Sequence, residues 1–165
     1  MAPTIIAAAL AHELIDEAAV IRQCLERIPE DKFDFRPHEK SMSLGRLASH
    51  MAEMFSWGKM MIETDFFEME MADYTPFEAT SSQQLLEAFD SASSEFLNML
   101  EAQTDAQMTA AWLMKMDGHI AMEGPRVAML KGMLLHHLIH HRGQLTVYLR
   151  LNDIPVPATY GPSVD

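Results

Sequence analysis

Four stretches of this chain repeat apolar residues at intervals of three and four, which is the mark of one buried face on an α-helix. The first runs from Thr4, placed to act as an N-cap, to about Ile28, where Pro29 ends the pattern; Ile6, Leu10, Leu14, Ile21, Leu25 and Ile28 form its stripe. The second opens at Ser41 or Ser43 and reaches about Thr64, with Leu44, Leu47, Met51, Met54, Phe55, Met61 and Ile62 on its face. The third is capped by Thr80, Ser81 or Ser82 and runs to about Ala102 through Leu85, Leu86, Phe89, Phe96, Leu97 and Leu100. The fourth has Pro125 in its first turn and continues to about Leu151. Four such faces can bury one another, so the spacing predicts an all-α fold, a four-helix bundle.

The connections are long. Pro29 to Lys40 is a charged loop in which Phe33 and Phe35 can anchor on the core, and Asp65 to Ala79 reads as a second connection. Between helices 3 and 4, two short apolar runs flank Asp117-Gly118, which predicts a small β-hairpin from Trp112 to Met122. The tail from Asn152 is rich in proline and reads as irregular.

Composition narrows the functional classes. At 165 residues the chain is expected to form a single domain, 1–165. Twelve basic against 24 acidic residues give a net charge of −12, which disfavours both a nucleic-acid backbone and an anionic membrane surface. The apolar run Ile5 to Ala11 lacks a basic flank and is far short of the roughly 18 residues that a membrane helix needs. A lone cysteine, Cys24, excludes an internal disulfide framework and a thiolate zinc cluster, and fits a cytoplasmic location. Fifteen methionines are unusual, and their simplest role is to fill irregular gaps in a helical core. The motifs GxGxxG, GxSxG, GKS/T and HExxH are absent, which argues against dinucleotide, serine-hydrolase, P-loop and zincin chemistry.

The histidines carry the chemical signal. Four of the eight fall in the run His136-His137-Leu138-Ile139-His140-His141. At about 100° per residue, His137 and His141 lie about 40° apart on one helical face. They continue the stripe of Leu130, Leu134, Leu145 and Tyr148, so both imidazoles point toward the interior. Two buried rings one turn apart are costly unless hydrogen-bonded or metallated, and the i, i+4 spacing suits two ligands on one ion. His50 borders the stripe of helix 2 and can supply a third nitrogen if helices 2 and 4 are neighbours. Three imidazoles with an open position describe a catalytic metal site, and the competing interpretation is a set of satisfied core histidines. His136 and His140 point off the stripe; His119 and His38 sit at a turn and in a loop; His12 and Glu13 are weak candidates for a supporting ligand contact or a base. No catalytic residue beyond the metal ligands is identified.

The segment His137-Leu-Ile-His140-His141-Arg142-Gly143-Gln144-Leu145, with Tyr148-Leu149-Arg150, Ile154-Pro155-Val156-Pro157 and Tyr160-Gly161-Pro162-Ser163, resembles the C-terminal signature of the DinB-like (DinB/YfiT-like) superfamily. Pro29 to Lys32, Arg36-Pro37 and Ser41 to Ala52 resemble that family's loop and second helix. The resemblance implies a four-helix bundle, often dimeric, with a divalent metal on three histidines, which by position are His50, His137 and His141. The family's name refers to induction by DNA damage and does not imply DNA binding.

Two functions follow as expectations. The first is a metal-dependent thiol S-transferase or hydrolase acting on a small molecule, with a low-molecular-weight thiol as a candidate substrate and zinc or nickel as the ion. In it Gln144 orients a ligand or a water, and Arg142 either holds an anionic group or pairs with a surface carboxylate. The second is a non-catalytic stress-response dimer in which the metal is structural. A homodimer is expected from Trp57, Met60 and the stretch Phe66 to Met71, which are more apolar than solvated positions require; alternatively these residues close over the chain's own core.

Overall fold

The computed structural model describes residues 4–165. Met1, Ala2 and Pro3, at the start of the stretch judged too short for a membrane helix, lie outside the described residues. The elements in chain order are α1 (Ile5–Leu25), a 3-10 turn (Glu30–Lys32), α2 (Leu44–Glu63), β1 (Phe66–Met69), α3 (Ser82–Glu101), α4 (Asp105–Thr109), β2 (Ala111–Met116) and β3 (His119–Pro125). A last helical rod joins α5 (Arg126–Leu130), a π-helical segment (Lys131–His136) and α6 (His137–Leu151). The molecule is therefore mostly helical with a small three-stranded sheet. Among the described residues no helix is long and apolar enough to cross a membrane.

Local chemistry sets the helix ends. Ser43 Oγ accepts the Arg46 N–H at 3.2 Å and Ser81 Oγ the Gln84 N–H at 3.1 Å, so these serines cap α2 and α3. Thr4 occupies the N-cap position of α1, but its side chain makes no capping bond. Instead the Ile6 N–H donates to the Asp105 carboxylate at 2.9 Å, a partner 99 residues away. The helix also ends at Leu25, three residues before the expected Ile28. The N–H groups of Arg27 and Ile28 reach back only three residues, to Cys24 and Leu25, and tighten the last turn.

The connections differ most from expectation. Residues after Asp65 are not merely a link, because Phe66–Met69 forms β1 and pairs in parallel with β2, Phe67 opposite Met114. β2 and β3 pair as the expected hairpin, with Asp117 (φ 49°) and Gly118 (φ 78°) both in the left-handed region that a two-residue turn requires. A bulge between Met114 and Lys115 interrupts their register. The short α4 was not expected; Thr104 and Gln107 cap it reciprocally.

The long helices pack in a closed cycle, α1 and α2 each against α3 and α6. Phe55 meets Phe89 and Phe96 at ring-centroid distances of 5.5 and 6.0 Å in the middle of the core. Two arginines are buried, and each has a structural task. Arg126 donates to the carbonyls of Met61, Thr64 and Gln107 and to the Asp65 carboxylate, which closes the C-terminal end of α2. Arg142 donates from Nε to Glu17 Oε2 at 3.0 Å, while Tyr160 donates its hydroxyl to the other carboxylate oxygen. The Arg142 guanidinium also lies 4.5 Å from the Tyr160 ring centroid, so α1, α6 and the tail share one clasp, with the ion pair buried and the Tyr160 ring over it exposed.

Candidate metal centre

α2 carries His50, and the first turns of α6 carry His137 and His141. Because α2 and α6 pack together, the three rings meet: His50 lies 5.2 Å from His137 and 4.8 Å from His141, centroid to centroid. One nitrogen of each ring falls within 4.8 Å of the others, and the Nε2 atoms of His137 and His141 are 2.8 Å apart. Two imidazole nitrogens around one tetrahedral cation, with bonds of about 2.1 Å, stand roughly 3.4 Å apart, inside that range. The π-helical segment ends at His136, immediately before this pair, and π-turns concentrate at functional sites.

Each ring is braced. His50 Nδ1 shares a 2.9 Å hydrogen bond with Glu53 Oε1, His141 Nδ1 a 2.7 Å bond with Gln144 Oε1, and His137 bonds the main chain of Met133. Bracing of this kind fixes ring orientation and turns the Nε2 atoms of His137 and His141 toward each other, where they share a 2.8 Å hydrogen bond whose place a cation would take. Burial pushes the His141 imidazole down to about 4, and neighbouring rings push it further against the opposing Gln144 bond. His137 is lowered for the same first reason, then by His50. Both rings are therefore neutral at neutral pH, the state that ligates.

Glu53 is the functional residue that sequence reasoning missed. Burial alone would raise its carboxyl, but bonds from His50, the Phe77 N–H, Arg46 and Tyr74 overcome that and hold it at about 2. Oε1 accepts from Arg46 and the Tyr74 hydroxyl, both at 3.0 Å, and Oε2 from the Phe77 N–H at 2.9 Å. The carboxylate is thus fully engaged in bracing His50 and its surroundings. The spacing His50-x-x-Glu53, one helical turn, was the available signal.

The other histidines supply no nitrogen to the cluster, although the exposed His140 ring lies 5.0 Å from that of His141. His136, His140, His119, His38 and His12 are exposed; His12 lies 3.7 Å from Asp16, and Glu13 pairs with Lys131 at 3.3 Å. Arg142 is occupied by Glu17 within the fold, not by a surface carboxylate. Trp57 packs edge-on to His50 at 5.2 Å and is half-buried, as are Met60, Phe67 and Met69, all of which pack on the core. Phe66 and Met71 are exposed.

The donor set fits a metal ion: three imidazoles converge, and no carboxylate or thiolate joins them among the described residues. The comparisons agree with the fold. The chain is 28% identical over 148 residues to the uncharacterized protein YrdA of Bacillus subtilis, covering 89% of this chain and 83% of that protein. A DinB-like protein (YjoA) from Bacillus subtilis superposes with a TM-score of 0.69 at 21% identity, over 94% of this chain and 96% of that one. A DinB-like protein from Bacillus cereus gives a TM-score of 0.64 at 22% identity, over 87% and 91% of the two chains. The DinB family model matches residues 6–165, and this chain belongs to the DinB family.

Proposed function

We propose that this chain is a four-helix-bundle metalloprotein that holds one divalent cation, zinc or nickel, on His50, His137 and His141. In this reading it is an enzyme acting on a small molecule, a thiol S-transferase or a hydrolase. The observation that carries the reading is the convergence of three braced imidazoles with no carboxylate closing the set. A cation on neutral ligands keeps its full charge and lowers the pKa of a thiol or water brought to it. The chain's own part is to fix the rings: Glu53 and Gln144 hold His50 and His141 in orientation, and Trp57 covers one side of the cluster. Cys24 is buried in α1 and supplies no nucleophile, so a reacting sulfur comes from the substrate.

The test is metal content with turnover. Purified protein should carry about one zinc or nickel per chain, His141→Ala should lose it, and the exposed His136→Ala should keep it. Conjugation of a small thiol to an electrophile should fall on chelation, return with added metal, and survive Cys24→Ala. Equal metal loss in the two histidine variants sinks the site. A full metal complement without turnover on any thiol or ester leaves a structural metal.

The exposed ring of Phe66, 45% accessible, supports a homodimer. A monomer mass by light scattering at micromolar concentration refutes it.

A further inference from the structure

Beside the three histidines lies a cavity of about 620 Å³ whose wall is almost free of polar atoms. Seven of its 11 lining residues are methionines. The inner face of the sheet forms one wall. Strand alternation puts Phe67 and Met69 of β1, and Met114 and Met116 of β2, on that face, with Phe66, Glu68 and Lys115 on the other. The bulge at Met114/Lys115 then breaks strict alternation on β3, so Ala121 and Met122 both line the cavity while Ile120, opposite Lys115, does not. Trp57 and Met133 complete the enclosure, and these are the residues that touch the histidines: Trp57 packs on His50 and His137, and the Met133 main chain bonds His137.

We infer that this methionine-lined cavity binds an uncharged, apolar organic group, and that it is where the substrate's apolar part sits beside the metal centre. The assignment to substrate rests on the proposed metal-dependent function; the binding itself does not need the metal. Size comes first: the cavity opens to solvent on one side, and its volume lies within the range of about 300–1,000 Å³ that small-molecule pockets occupy. Chemistry comes second. Tyr74 is the one ionisable residue in the wall, and its hydroxyl is spent on Glu53 at 3.0 Å. A charged ligand would lose its water here and find no partner. Thioethers adapt to varied shapes and contact aromatic rings favourably, as do the faces of Trp57 and Phe67. Access comes third, because Met71 and Ala121 at the edge of the cavity are exposed.

The test uses the neutral fluorophore N-phenyl-1-naphthylamine with the full chain, metal-loaded and chelated, and with metal content measured on the same samples. The expected result is saturable binding in both forms. It should weaken at least tenfold in Met122→Glu, persist in Met122→Leu, and be unchanged in Ile120→Glu on the opposite face. 1-Naphthylmethanol should displace the probe and 1-naphthoate should not. The inference is overturned by absence of saturable binding to the wild type, by equal binding in Met122→Glu, by equal displacement by the carboxylate, or by loss of binding as protein concentration rises, which would mean that a second copy fills the cavity. Probe binding by a wild-type chain that takes up no zinc or nickel even when the metal is supplied would refute the metal reading and leave the cavity standing. Stoichiometric metal without probe binding would do the reverse.

Discussion

Gly58 and Gly143 both sit inside helices, yet replacing each by alanine should change stability in opposite directions. On an exposed helix the exchange gains about 0.5–1 kcal/mol, because glycine loses more backbone freedom on folding. Gly143 in α6 has open space around the added methyl, so Gly143→Ala should show that gain. At Gly58 in α2 the methyl carbon would lie 2.8 Å from Leu134 Cδ2 and 2.8 Å from Phe96 Cε2. Neither neighbour can withdraw easily, since Leu134 is 1% and Phe96 0% exposed. Overpacking of this kind costs about 1–3 kcal/mol, which exceeds the helix gain. The net expectation for Gly58→Ala is a loss of roughly 1–2 kcal/mol, or a fall in Tm of about 2–8 °C for a chain of this size. Urea unfolding of the three proteins with a common m-value reads both changes. A Gly58→Ala protein at least as stable as Gly143→Ala would refute the argument, for it would mean that α2 and the π-helical segment do not approach as closely as described.

Three further outcomes are expected. Arg142→Met leaves the Glu17 carboxylate buried beside Tyr160 without its cation, so it should cost about 3–5 kcal/mol in urea unfolding and speed proteolysis of the tail; unchanged stability would show that the clasp is not closed. Burial raises the Cys24 thiol from 9.0 to about 11, so the folded chain holds a proton that the unfolded chain releases. Stability on this account is intact below pH 9 and falls by up to roughly 2–3 kcal/mol as pH rises to 11; Cys24→Ala should lack that part of the slope, and identical alkaline profiles would contradict it. Glu53→Gln replaces one of the oxygens that accept from His50, Arg46, Tyr74 and Phe77 with an amide, and should weaken zinc binding about 10–100-fold in a chelator competition; unchanged affinity would mean that His50 needs no brace.

The long helices were legible because their stripes are local: Leu44 to Glu63 and Ser82 to Glu101 carry apolar residues at 3.6-residue period and a serine at each start. The hairpin was legible for a similar reason, since two positive-φ residues at Asp117-Gly118 are written in the sequence. β1 was not, because its partner β2 lies across the whole of α3 and parallel pairing leaves no turn to read. The Thr4 cap failed because tertiary structure supplied a better acceptor in Asp105. Among the histidines, helical phase separated exposed His136 from buried His141, and His137 lies at the margin of the buried face. What remained hidden was the bracing: Tyr74 and Phe77 reach Glu53 from a connection with no period of its own. The Met-rich composition, read as core filler, is in part the lining of a cavity, which no one-dimensional pattern distinguishes from packing.

The histidine cluster also has a place in time. His50 and His141 are 91 residues apart, and no shorter piece of the chain holds more than the two rings of α6. At synthesis rates of about 5–20 residues per second, His50 exists for roughly 5–18 s before its partners do. Through that interval it is a lone imidazole with Glu53 one turn away. The three-nitrogen set comes into being only when α6 closes against α2, so it cannot template the early helices. On the proposed metal reading, selection among competing cations would wait until α6 has closed against α2 and the surrounding walls are in place.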